Sequence, residues 1–105
     1  MSDHYILNGK LAVPTDLMTW GKWLQEAKEE RIVAKDERDG VRVSTVFLGL
    51  DHNFGEGPPL LFETMIFGGE HDQWQDRYTT WEQAEAGHKA AVAVAWPPPF
   101  DRSQA

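Results

Sequence analysis

The segment from Val43 to Gly69, VSTVFLGLDHNFGEGPPLLFETMIFGG, sets two apolar, β-like runs on either side of one polar connection rich in glycine and proline. This pattern constrains the fold more than any other part of the chain, because it calls for two strands side by side with a shaped loop between them. On the first arm, alternation places Val41, Val43, Thr45, Phe47 and Gly49 on one face. Arg42, Ser44, Val46, Leu48 and Leu50 take the other, so the arm starts half-solvated and ends apolar on both sides, which suits a central strand. On the second arm Leu60, Phe62, Thr64 and Ile66 share one face and Leu61, Glu63, Met65 and Phe67 the other. Glu63 is the anomaly. A solvated face, or pairing with a base such as Arg42 or Arg77, accounts for a carboxylate there better than catalysis does.

The flanks complete an α+β pattern. Tyr5 to Val13 alternates weakly around Asn8-Gly9 and reads as a short hairpin or an edge strand. Pro14-Thr15-Asp16 reads as a helix start, with Thr15 or Asp16 able to accept from free first-turn amides, and LMTWGKWLQEAKEE follows with helical composition. Leu17, Trp20, Leu24 and Ala27 fall on one face with Trp23 beside them, and Gly21 is expected to mark close approach of a neighbouring element at a helix cost of about 1 kcal/mol. Arg31 to Lys35 reads as a short strand and Asp36 to Gly40 as a turn. Asp76 to Thr79 reads as a brief strand. Thr80-Trp81-Glu82-Gln83 then fits a capping box opening a last helix, which Trp96-Pro97-Pro98-Pro99 stops. The expected architecture is a small antiparallel sheet of three to five strands with two helices packed on one face. It forms a single domain over residues 1–96, followed by a proline-rich extended tail over 97–105.

Size and charge narrow the function classes. At 105 residues with 41% hydrophobic content the chain fills one core and no more. Seventeen acidic residues against 10 basic ones give a net charge of −7, which repels a phosphate backbone, so direct nucleic-acid binding is disfavoured. Mimicry of nucleic acid would need a longer face of one sign. The absence of cysteine excludes disulfides, thiolate metal sites and cysteine nucleophiles. No run approaches the roughly 20 apolar residues that cross a bilayer, and the start lacks a basic segment followed by an apolar one. No membrane association is expected, and the cytoplasm is the expected location.

The chemistry-bearing residues form no complete catalytic, metal or phosphate motif. Asp51-His52 and His71-Asp72 are mirrored pairs of the kind a metal or a general base would use. On an antiparallel hairpin, however, about eight residues at roughly 3.3 Å separate them, near 25 Å in all. No metal, cofactor or catalytic residue is therefore assigned. Gly55-Glu56-Gly57-Pro58-Pro59 leads into a strand rather than a helix, and its prolines remove donors a phosphate would use. Ser44 and Thr45 lack a nucleophile elbow and no histidine can be assigned to them; His88 reads as a surface or boundary residue. What remains is the loop from Asp51 to Pro59, read either as a structural connection that re-enters the sheet, its turn stabilised by the Asp51 side chain, or as a recognition loop with Asp51, His52, Asn53, Phe54 and Glu56 as candidate partner- or ligand-binding residues. Arg77 is a further polar contact. Five tryptophans exceed what so small a core holds comfortably, and Trp74 and Trp96 are the two expected to be accessible.

The phrase from Ser44 to Gly55, continued by Gly57-Pro58-Pro59-Leu60-Leu61-Phe62-Glu63-Thr64-Met65-Ile66-Phe67-Gly68-Gly69, resembles a widespread family of small uncharacterised phage and prophage proteins. Tyr78, Thr80, Trp81, Ala84, Gly87 and His88 are similar to the family's downstream pattern, so the likeness spans roughly Met18 to Ala91. The resemblance implies a genomic setting and no catalytic residues. By analogy of size, acidity and origin, it implies a non-enzymatic inhibitor of host defence, of anti-CRISPR type, acting in the host cytoplasm on a basic surface of a host protein. The alternative is a protein that binds or sequesters a small nucleotide signal. Homo-oligomerisation is compatible with either.

Overall fold

The computed structural model describes residues 3–53 and 55–97. Along the chain run β1 (Tyr5–Asn8), β2 (Leu11–Pro14), α1 (Leu17–Glu26), a single 3₁₀ turn (Glu29–Arg31) and β3 (Ile32–Arg38). They are followed by β4 (Val41–Phe47), β5 (Phe62–Phe67), β6 (Gln75–Tyr78) and α2 (Trp81–Ala95). β1 and β2 form a two-stranded hairpin, while β3-β4-β5-β6 is an antiparallel meander of four strands. The fold is α+β with both helices on one face of the larger sheet, as the apolar periodicity demanded. Among the described residues no helix is long and apolar enough to cross a membrane.

Local chemistry explains where most elements begin and end. The Asp16 carboxylate accepts from Thr19 N at 2.8 Å and caps α1, and these bonds hold its pKa below the usual carboxylate value. Thr80 accepts from Gln83 N at 3.1 Å while the Gln83 side chain accepts from Thr80 N, the reciprocal box read from the sequence. α2 ends where Trp96-Pro97 follows it; the rest of the expected tail, residues 98–105, lies outside the described residues. Asp39 and Gly40 both take positive φ, 53° and 78°, and close the β3–β4 hairpin as a two-residue turn. The turn is therefore shorter than Asp36–Gly40. Asp36, Glu37 and Arg38 stay in the ladder, opposite Val43, Arg42 and Val41, because charged side chains are tolerated on an edge strand.

The core is organised in three cross-strand rungs. Val43 faces Ile66, Thr45 faces Thr64 and Phe47 faces Phe62, and all six are fully buried. Ala91, His88 and Ala84, spaced three and four residues apart on α2, are the buried positions of that helix. One apolar cluster gathers Phe47, Phe62, Leu61, Tyr78, Ala84 and Leu7; a second gathers Val43, Ile66 and Ala91. The polar middle rung lies between them. Packing of α2 is close enough at Gly87 that an added Cβ would overlap the phenol ring of Tyr78.

α1 is held more lightly, and none of its residues is fully buried. Trp23 meets Phe47 edge-on at 5.7 Å between centroids, and Trp20 Nε1 donates to the Gly49 carbonyl at 2.9 Å. Gly49 itself sits at φ 80°, which L side chains rarely adopt, and a Cβ there would lie 3.0 Å from the Trp20 indole nitrogen. Two readings of α1 are corrected. Leu17 faces solvent, 60% exposed, so the apolar face is narrower than the spacing suggested. Among the described residues nothing lies within 4 Å of a Cβ placed at Gly21, so none approaches it.

Candidate functional site

Two polar networks carry the chemistry of this fold, one in the β4–β5 connection and one inside the core. In the connection, Asp51 Oδ1 accepts from Asn53 N at 2.7 Å and from Leu60 N at 3.0 Å, so one carboxylate oxygen ties both ends of the loop. The Asn53 side chain completes the brace. Its Nδ2 donates to the carbonyls of Pro58 at 2.9 Å and Glu56 at 3.3 Å, and its Oδ1 accepts from Gly55 N at 3.1 Å. His52 N donates to the Leu60 carbonyl, which carries the strand ladder into the loop.

The N-terminal hairpin lies against the same end. Tyr5 N donates to the Gly49 carbonyl and Asp51 N to the Asp3 carbonyl, and His4 bridges Leu50. Asp3, His4, Leu50, Asp51, His52 and Asn53 thereby line an open cleft of about 580 Å³. A neighbouring hollow of similar volume shares Asp3, Asp51 and Gly55 with it and adds Tyr5, Glu56 and Pro59. The carboxylates of Asp3, Asp51 and Glu56 thus border one surface.

Of the sequence-derived candidates, the structure brings Asp51, His52 and Asn53 together here, with Glu56 at the border. Phe54 lies outside the described residues. The others lie elsewhere. Arg77 Nε donates to Glu63 Oε2 at 2.9 Å on the sheet face away from the helices, which answers the anomaly of Glu63 with one of its two suggested partners. Trp74 and Trp96 are not accessible in the way expected; both are half-buried against the Val43–Ile66–Ala91 cluster, and the Arg38 guanidinium lies 4.5 Å over the Trp96 ring. All five indoles are half-buried, capping the edges of the core rather than filling it. His71-Asp72 follows the far end of β5 from Asp51-His52, and Asp72 Oδ1 braces its own turn by accepting from Gly68 N at 2.7 Å. Among the described residues no cluster of three or more His, Cys, Asp or Glu side chains could hold a metal ion.

The second network was missed. Thr64 and Thr45 hydroxyls meet at 2.6 Å, Thr45 Oγ1 lies 2.7 Å from His88 Nδ1, and His88 Nε2 lies 2.7 Å from Asp36 Oδ2. His88 is 4% exposed, which corrects its reading as a surface or boundary residue, and it is the histidine that Thr45 was thought to lack. In the tautomer that carries its proton on Nε2 and donates it to the Asp36 carboxylate, Nδ1 accepts from Thr45 and Thr45 accepts from Thr64. Tyr78 lies at the far side, its buried hydroxyl having no partner in hydrogen-bond geometry among the described residues. Burial pushes its pKa above the phenol value, an effect the nearby Thr64 hydroxyl opposes and the Asp76 charge reinforces.

A hydroxyl, a histidine and an aspartate in line have the connectivity of a hydrolase triad. Here the hydroxyl belongs to a fully buried residue, so no substrate reaches Thr45 in this conformation. The line joins β5, β4, α2 and β3 and fixes the helix on the sheet. A signal for it existed in the sequence: two threonines at matched positions on otherwise apolar strand faces, and a histidine on the alanine stripe of the last helix. Set against protein-family models, curated proteins and solved structures, the chain shows no significant match in any of the three comparisons.

Proposed function

We propose that this chain is a non-enzymatic interaction protein whose acidic loop end docks onto a basic surface of a protein partner. The resemblance to phage proteins makes a host defence protein the partner class. The observation that carries the reading is the internal brace of the loop. Asp51 and Asn53 hold it from within, so His52 and Glu56 are presented with little ordering cost on binding. Around it the net charge of −7 speeds encounter with a cationic surface and disfavours nucleic acid.

The test is capture from host lysate on the immobilised chain, followed by affinity measurement against the captured protein at several salt concentrations. A basic partner is expected, with affinity falling as salt rises. Asp3→Lys with Glu56→Lys, at exposed positions whose side chains take no part in the brace, is expected to weaken binding by roughly tenfold or more, mainly through the association rate. Binding indifferent to both salt and the double reversal sinks the reading.

One observation favours a second reading. A cleft of about 580 Å³ falls within the size range of small-molecule sites. A nucleotide would have to overcome the negative field, and the absence of any thermal shift across a nucleotide panel disposes of this alternative.

A further inference from the structure

The hollow that Glu56 borders has walls of two kinds. Tyr5, Pro14 and Pro59 give it apolar surface, and Asp3, Asp51 and Glu56 give it carboxylates, around a space of about 580 Å³. Tyr5 and Pro14 are register partners on the N-terminal hairpin, so two strands set that wall. Pro59 comes from the end of the β4–β5 connection, where the chain returns to the sheet.

Several carboxylates elsewhere in the fold are matched. Glu63 pairs with Arg77, Asp36 meets His88, and Asp16 and Asp72 accept from backbone amides. Around the hollow the match is missing. Among the described residues no lysine or arginine lines it, and none is ion-paired with Asp3, Asp51 or Glu56. Asp51 Oδ1 is engaged by the Asn53 and Leu60 amides, which fixes the plane of the carboxylate and leaves Oδ2 without a partner among the described residues. On a chain with 17 acidic and 10 basic residues, unmatched carboxylates around one hollow favour an incoming cation.

The apolar walls select which cation. Among the described residues no cluster of three or more ligating side chains could hold a metal ion, and a lysine ammonium is a compact, strongly hydrated charge that gains little from a ring and two prolines. A guanidinium is flat and weakly hydrated. It stacks on an aromatic face, carries its donors in a fixed fork that fits carboxylates, and sits on a methylene stem that covers apolar surface. Resting on the reading of this end as the docking site for a basic protein, we infer that the hollow seats one arginine side chain of that partner. Its stem and plane lie against Tyr5, Pro14 and Pro59, and its N–H fork meets the carboxylates. Arginines are among the side chains that concentrate binding energy at the centre of an interface, and this seat is braced before its occupant arrives.

The test is a titration of the isotope-labelled full chain with blocked tripeptides that carry arginine, lysine or neutral citrulline between two glycines. Amide shifts at Tyr5, Asp51 and Gly55 are expected with arginine at roughly millimolar affinity, weaker by about threefold or more with lysine and absent with citrulline. Tyr5→Leu keeps apolar bulk but removes the ring, and is expected to bring arginine and lysine to about equal affinity. Pro14→Lys, at an exposed position, is expected to weaken arginine binding by roughly tenfold. No shift at these amides up to about 20 mM arginine peptide overturns the inference, and so does equal binding of lysine or of citrulline by the unmodified chain.

The docking reading fails separately. A captured basic partner that binds in a salt-dependent way, yet is indifferent to Tyr5→Leu in its folded form, removes the arginine seat and leaves the charged docking standing. Arginine-selective peptide binding with no basic protein captured upholds the seat and removes the docking.

Discussion

The loop network and the core network are built from similar polar groups, yet they differ in reach and in burial. Every bond of the loop brace spans two to nine residues, from Asn53 N on Asp51 to Leu60 N on Asp51. The core line spans 19 residues from Thr45 to Thr64, 43 from Thr45 to His88 and 52 from Asp36 to His88. The first holds a partly exposed segment in shape, where water replaces a lost partner at little cost. Thr45, Thr64 and the His88 ring of the second are buried between two apolar clusters, where an abandoned hydroxyl has no replacement, and only its outer end at Asp36 reaches water. Chemically similar bonds should therefore cost very different amounts to break.

The largest effect is expected at His88. His88→Ala removes the ring between Ala84 and Ala91, opens a cavity and leaves the buried Thr45–Thr64 pair without its outer partner, while exposed Asp36 is resolvated, for a loss of roughly 3–4 kcal/mol in urea unfolding. The combination His88→Leu, Thr45→Val and Thr64→Val, which removes the polar groups together, should recover a large part of that loss. A cost below about 1 kcal/mol for His88→Ala would erase the contrast between the networks. Next comes Gly87→Ala, beside the same line. Its new methyl needs the space of the Tyr78 ring, so α2 or the ring must shift, for a loss of roughly 2–3 kcal/mol. Adding Tyr78→Leu to Gly87→Ala should cost less than the two single changes summed. Additivity would mean that the ring and the helix do not meet.

The same difference in reach explains what the sequence made legible. Alternation along Val41 to Phe47 and Phe62 to Phe67 placed all three core rungs on the right face, because a period of two is a local property. The caps at Asp16 and Thr80 and the bracing of the loop by Asp51 are likewise local chemistry. For His88 the local signal is weak, no more than its place on the Ala84–Ala91 stripe. A histidine on a helix flanked by Gly87 and Lys89 looks solvated until β4 brings Thr45, and β3 brings Asp36, to its two nitrogens. Gly21, Trp74 and Trp96 fail for the converse reason, since what surrounds them is decided by how α1 and α2 lie on the sheet. The Asp36–Arg38 run reads as turn from its charge alone, and only the register with β4 shows that the strand continues through it.

The smallest effect belongs to the loop, and it tests the contrast from its other side. Asp51→Ala leaves the Asn53 and Leu60 amides without their common acceptor, both only part-buried, so water can take its place. A global loss of roughly 1–2 kcal/mol is expected. The change should be confined in space: faster hydrogen exchange at Asn53, Gly55 and Leu60, with exchange at Thr45 and Thr64 following only the global stability. Asp51→Asn keeps a side-chain oxygen for the two amides and should recover much of the loss, because the brace depends on an acceptor more than on a charge. If Asp51→Ala instead costs as much as His88→Ala, or loosens the threonine pair beyond the global loss, the two networks are one cooperative unit. The loop would then be part of the core's own support, and its preorganisation could no longer be read as a feature kept for a partner.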